Sequence, residues 1–162
     1  MNKEIVLNQL RRTLTLVLPF FETDPAMLAR TYAPGKWTLK QILAHLTDSE
    51  IHFQSRVRLI LSEPGCAITP FDQDKAMKVL AFPQRSVLLM RRMFVDAREC
   101  LIELVDYLPE PIFGRAGVHP EYPTYRAWDV VTKTSTHTMH HFGQLTAIRE
   151  GTIWTPSAVV QE

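Results

Sequence analysis

His137 and His141 stand four residues apart in Thr136-His137-Thr138-Met139-His140-His141-Phe142-Gly143-Gln144. On a helix, positions i and i+4 lie one turn apart on the same face, so two imidazoles there can reach one metal ion. His45 lies in a separate helical segment, Trp37-Thr38-Leu39-Lys40-Gln41-Ile42-Leu43-Ala44-His45-Leu46-Thr47-Asp48. Three histidines from two helices leave a coordination position open, the pattern of a reactive centre more than a structural one. The competing reading is three separate histidines with ordinary hydrogen bonds. The two readings part on whether the two helices face each other.

A buried neutral imidazole must satisfy both ring nitrogens, and the N–H left over after metal ligation needs its own acceptor. Asp48, three residues after His45, and Gln144, three after His141, are the candidates. His140 points about 100° away from His141 around an ideal helix and reads as a rim or solvated residue. His52, two turns after His45 and about 10 Å further along the axis, is a reserve ligand that reads more readily as a surface or packing residue. His119 falls in the loop before the last helix and reads as a solvated loop histidine. The metalloprotease motif HExxH is not present, because Thr138 stands where its general-base glutamate belongs. A base would have to come from Asp48, from Glu50, which also reads as simply exposed, or from bound water itself. Trp37, Phe53, Phe71, Trp128 and Phe142 are available to wall a pocket or to pack in a core.

The elements that must position these residues read as helices. Val6, Leu10, Leu14 and Val17 form one apolar stripe, with Pro19 ending or kinking the helix. Residues 22–37 read as a connector. Thr38 with Gln41 three residues later forms a capping box for the second helix, which runs to Pro64-Gly65. Residues 62–82 read as a long crossover with one short helix around Asp74–Leu80. Pro83 suits the first turn of a third helix, stopped by Pro109 and Pro111. Residues 109–124 read as loop, with no strand signal. Thr124 is a plausible cap for the fourth helix, which ends near Glu150 with Gly151 as its stop. The tail Thr152–Glu162, with Trp154 and Pro156, is expected to pack back. The predicted architecture is all-α, a four-helix bundle with long crossover connections in one domain over 1–162, and sites in such bundles form between facing helices.

The totals exclude several function classes. A net charge of +1 provides no basic excess to follow a phosphate backbone, so no nucleic-acid partner is expected. The two cysteines, Cys66 and Cys100, lack CxxC spacing and read as reduced thiols of a cytoplasmic protein. No stretch approaches 18 uncharged apolar residues, so no membrane span is expected. The first residues, Met1-Asn2-Lys3-Glu4-Ile5-Val6, do not read as a signal peptide, so none is expected.

Trp37-Thr38 followed by His45-Leu46-Thr47-Asp48-Ser49-Glu50 resembles the first signature of the DinB-like, or YfiT-like, metal-binding four-helix proteins. His137-Thr138-Met139-His140-His141-Phe142-Gly143-Gln144 resembles their HxxxHxxQ segment. The resemblance covers the chain from the first helix to Gly151. It implies a divalent metal ion held by His45, His137 and His141, with water in the remaining positions. Zinc or nickel suits imidazole ligands, and manganese or iron also occurs in the family. The family implies activity as a metal-dependent thiol S-transferase on small electrophiles, or as a metal-dependent hydrolase, or a non-catalytic metal- or ligand-binding stress-response module. It also implies a small-molecule substrate, a low-molecular-weight thiol among the candidates, and a homodimer. Arg56, Arg58 and Arg126 lie near the motif helices but identify no particular thiol.

Overall fold

The first helix forms because Asn2 caps it: the Asn2 Oδ1 accepts the Glu4 N–H at 2.9 Å. In this computed structural model, which describes residues 2–156 (Pro123 by its backbone only), that helix is α1, Lys3–Val17. Its buried positions include Val6, Leu10, Leu14 and Val17, the stripe read from the sequence. Pro19 then falls in a 3₁₀ turn, Leu18–Glu22, and the connector carries one short helix, α2, Pro25–Leu28.

Helix α3, Leu39–Ser62, starts at the predicted capping box. The Gln41 N–H donates to Thr38 Oγ1 at 3.2 Å, and the Thr38 N–H donates to Gln41 Oε1 at 2.8 Å. The crossover carries α4, Gln73–Leu80, close to the expected short helix. Helix α5, Val87–Tyr107, does not open at Pro83. Ser86 is its cap, with Oγ accepting the Leu89 N–H at 3.3 Å. A proline suits a first turn but supplies no acceptor there, and Ser86 does.

The stretch read as loop holds a hairpin. Strands β1, Ala116–His119, and β2, Tyr122–Arg126, pair antiparallel with an irregularity between Gly117 and His119. Pro120 and Pro123 mask a pattern of only four or five residues per strand. Thr124 therefore lies in β2, and α6 runs from Ala127 to Glu150. Its first turn is closed by Asp129, whose Oδ2 accepts the Arg126 N–H at 2.9 Å. Gly151 stops it in the left-handed conformation, φ 69°. The crossover is tied to the hairpin by backbone bonds: Ile68 N–H to the Val118 carbonyl and Val118 N–H to the Cys66 carbonyl, both 2.8 Å. The tail packs back as far as it is described. Trp154 Nε1 would lie 2.6 Å from any Cβ placed on Gly143, so only glycine fits beneath the indole. Residues 157–162 lie outside the described residues.

The four long helices pack with α1 and α3 on one diagonal, each touching α5 and α6. Two apolar clusters fill the bundle. One centres on Val57, Leu101 and Val130, the other on Leu43, Phe94 and Leu145. Between them in the sequence of every helix lies a polar layer. Arg98 on α5 is fully buried and donates to all three neighbours: Nε to Glu50 Oε2 at 2.9 Å, Nη2 to Glu50 Oε1 and, at 2.9 Å, to Thr138 Oγ1, and Nη1 to Thr13 Oγ1 at 2.6 Å and the Leu10 carbonyl at 3.0 Å.

Removing one member of a buried, hydrogen-bonded ion pair strands the other charge and costs about 3–5 kcal/mol. Arg98→Met is therefore expected to lose about that much stability in urea unfolding, and Arg98→Met with Glu50→Leu to recover most of it. An Arg98→Met protein within about 1 kcal/mol of the parent would show that the network does not hold the bundle together.

Candidate metal centre

The polar layer fixes how α3 and α6 face each other, and the histidines sit beside it. His45 lies five residues before Glu50, and Thr138 lies between His137 and His141. Nitrogens of His45, His137 and His141 all lie within 4.8 Å of one another. His45 Nε2 is 3.0 Å from His137 Nε2, and the His141 ring centroid is 4.7 Å and 4.6 Å from the other two. Two ligand nitrogens at about 2.0–2.1 Å from one ion are themselves about 3 Å apart. The facing of the two helices, which the sequence could not supply, is therefore present.

Burial lowers the pKa of all three rings: His45 to about 4, His141 to about 3 and His137 to about 2. The neighbouring histidines add a smaller push in the same direction. Each ring is neutral at pH 7, the state that ligates a metal. Gln144 Oε1 lies 2.7 Å from His141 Nδ1. Since an amide oxygen only accepts, Nδ1 carries the proton and Nε2 is left for ligation. Converging neutral imidazoles with a fixed tautomer fit a divalent ion.

Asp48 does not take the matching role for His45. Its carboxylate is gripped by Arg85, Nη1 to Oδ2 at 2.8 Å and Nη2 to Oδ1 at 2.5 Å. A guanidinium fork satisfies both carboxylate oxygens at once, and an imidazole N–H cannot displace it cheaply. Glu50 is buried rather than exposed, and Arg98 holds it. Burial pushes its carboxyl up and Arg98 pulls it back towards the ionised form, but neither oxygen is free to act as a base.

The remaining candidates separate cleanly. The Trp37 ring lies 5.0 Å from His45 and stacks near-parallel on His141 at 6.3 Å, and Phe53 meets His137 edge-on at 5.4 Å. Trp128 instead packs on Phe113, and Phe142 on Phe20, both in the core. His140 is exposed beside His141 and Trp154. His52 packs on Phe71 at 3.9 Å. His119 is not solvated: it is 6% exposed, with Tyr122 and Tyr125 each 4.9 Å from its ring. Arg58 bonds to Gln54, and Arg126 is exposed at the start of α6. A cavity of about 630 Å³ opens onto the cluster, lined by Trp37, Lys133, His137, His140, His141 and Gln144. That size suits a small-molecule substrate.

A helical bundle carrying three histidines on facing helices beneath an open cavity belongs to a definable class. The DinB superfamily model matches residues 9–145, and the chain belongs to that superfamily. It is similar to a protein of Oceanobacillus iheyensis named "Putative metal-dependent hydrolase", 25% identical over 73% of this chain and 68% of that one. It is also similar to YfiT of Bacillus subtilis, which bears the same name, at 27% identity over 80% of this chain and 73% of YfiT. The solved structure of YfiT, described as having an unusual four-helix bundle topology, superposes with a TM-score of 0.72 over 93% of this chain and 88% of that one. A mycothiol-dependent maleylpyruvate isomerase shares the fold at a TM-score of 0.72 and 13% identity, over 90% of this chain and 61% of that one. Among the described residues, no helix is long and apolar enough to cross a membrane.

The low pKa values carry a stability prediction. The unfolded chain protonates its histidines near pH 6.5, and the folded chain protonates these three only well below that. Between those values the unfolded state binds more protons, so stability falls as pH drops. Thermal unfolding of metal-free protein is expected to show a Tm that declines from pH 7 to pH 5, with a shallower decline in His137→Leu. A Tm flat across that window would mean that the rings are solvated.

Proposed function

We propose that this chain is a metal-dependent enzyme in which His45, His137 and His141 hold one divalent ion and a low-molecular-weight thiol is transferred to a small electrophile. The observation that carries the reading is the convergence of three neutral imidazoles, two of which, His137 and His141, line a substrate-sized cavity. An all-imidazole donor set favours zinc or nickel over manganese or iron. When bound, such an ion polarises a sulfur or oxygen donor and lowers the pKa of its proton. The likeness to a mycothiol-dependent isomerase supports sulfur as that donor. The names of the relatives support a second reading, hydrolysis, in which the donor is water.

The chain's own residues have separable tasks. Gln144 orients His141, and the Trp37 indole shields His45 and His141 from water on one side. Asp48 and Glu50 are committed to arginines, so neither takes the donor's proton. His140, exposed at the cavity with its ring centroid 5.0 Å from that of His141, is an imidazole outside the cluster placed to receive it. The free cysteines Cys66 and Cys100 fit a reducing cytoplasm. A homodimer would cover the exposed Leu88, Leu89 and Met93 on α5.

Elemental mass spectrometry on protein purified without a metal-affinity tag is expected to find about one divalent ion per chain, absent in His141→Ala. Gln144→Ala should keep the fold but weaken zinc affinity about 10–100-fold in chelator competition. Turnover of a chlorinated aromatic electrophile should require added thiol. Turnover of an ester without thiol would favour hydrolysis instead, and zinc bound with neither activity would reduce the site to a binding module.

A further inference from the structure

The three histidines lie at one end of a longer stripe. On α3, His45, Ser49, His52 and Arg56 follow at spacings of four, three and four, so they share one face. On α6, Lys133, His137 and His141 share a face at spacings of four. Rising numbers on α3 meet falling numbers towards β2: His45 meets His137, and Arg56 reaches Tyr125. The two faces therefore run together from the histidine cluster to a pair of cations, Arg56 and Lys133. Between them is a second cavity of about 160 Å³. It shares Gln73, Lys133 and His137 with the larger cavity, so the two meet at the cluster.

Neither cation has a carboxylate partner among the described residues. Arg56 spends one Nη2 donor on the Thr69 carbonyl at 2.9 Å and makes a long contact with the Tyr125 hydroxyl at 3.5 Å. Lys133 donates to the Tyr122 hydroxyl at 3.0 Å, and its ammonium also sits over the Tyr122 ring. Both side chains are half-buried and keep donors in reserve. Glu121 is the one carboxylate in the wall, so the charges of Arg56, Lys133 and Glu121 sum to +1. His52 and His119 add none at pH 7, since burial and the nearby Arg56 both lower their pKa. A site with one net positive charge suits a carboxylate better than a phosphate dianion. Phe53, Phe71 and Tyr122 are the phenyl and phenol rings of the wall, beside the neutral Ser49, Pro70 and Gln73 and the cluster's His45 and His137. A dry cavity of about 150 Å³ is large enough for benzene.

We infer that Arg56 and Lys133 seat the carboxylate of a small substrate whose flat apolar body lies against Phe53, Phe71 and Tyr122, with its far end directed to His45 and His137. The direction of the reacting end rests on the metal reading above. The carboxylate seat itself does not.

The test uses the full chain, metal-free to decide the seat and then loaded with zinc, with benzoate as the probe. Amide NMR titration is expected to give saturable shifts confined to α3 near His52, the crossover around Phe71, the N-terminal half of α6 and the hairpin. Benzamide, the neutral isostere, should give none that saturate. Arg56→Gln and Lys133→Gln should each weaken benzoate about tenfold, as loss of a charge-assisted hydrogen bond does, while zinc per chain stays unchanged. Arg56 also supports the crossover through Thr69, so Lys133→Gln, which breaks no backbone contact, is the decisive variant. Equal binding of benzamide, undiminished benzoate binding in Lys133→Gln, or phosphate displacing benzoate at equal concentration would each overturn the inference. Variant-sensitive benzoate binding in a wild type that takes up no zinc would uphold the seat and defeat the metal reading alone.

Discussion

A single guanidinium at the centre of the bundle sets the geometry on which everything else rests. Arg98 spends its donors on α1, α3 and α6 while projecting from α5, so each long helix is referred to one rigid planar group. Apolar contacts alone tolerate a helix sliding or turning by a fraction of a residue step. A buried charge does not, because any slip leaves donors or a carboxylate without partners in a poor solvent for charge. Thr138 lies within one turn of both His137 and His141, and Glu50 lies five residues after His45, under a turn and a half. The constraint that holds the fold thus also fixes the facing of His45 towards His137 and His141.

The site that results depends on burial rather than on acids. Its rings are kept neutral by the loss of water around them. The tautomer of His141 is set by an amide, Gln144, instead of a carboxylate. The acids that the sequence places within reach are tied to Arg85 and Arg98. The histidine cluster therefore carries no negative charge of its own, and a divalent ion held there would keep most of its charge to act on an incoming donor.

Much of this was legible in the residue order. The i,i+4 histidine pair, the Thr38–Gln41 capping box, the stripe on α1 and the Gly151 stop all have local causes, and local causes survive in a sequence. What was not legible depends on distant partners. Asp48 reads as an acceptor for His45 until Arg85, from another segment, is seen to claim it. Glu50 reads as solvated because nothing in its neighbourhood announces Arg98. Short strands with Pro120 between them and Pro123 inside the second carry too few residues to show a period, and their pairing hides His119 in what reads as loop. Lys133 drew no notice at the sequence level, although it sits one turn before His137 on the same face.

The crossover and the hairpin are joined by backbone bonds, the Cys66–Val118 and Ile68–Val118 pairs, and by the Ile68 and Cys66 side chains packing on Gly117. Phe71 and Gln73 from one segment, and Glu121 and Tyr122 from the other, are thereby free to be exchanged without loosening the strand pairing or the helical centre. Such a division lets descent with modification retune what the chain accepts while the histidine cluster stays constant. One bundle could in this way diverge into many substrate preferences, changing its wall and keeping its floor.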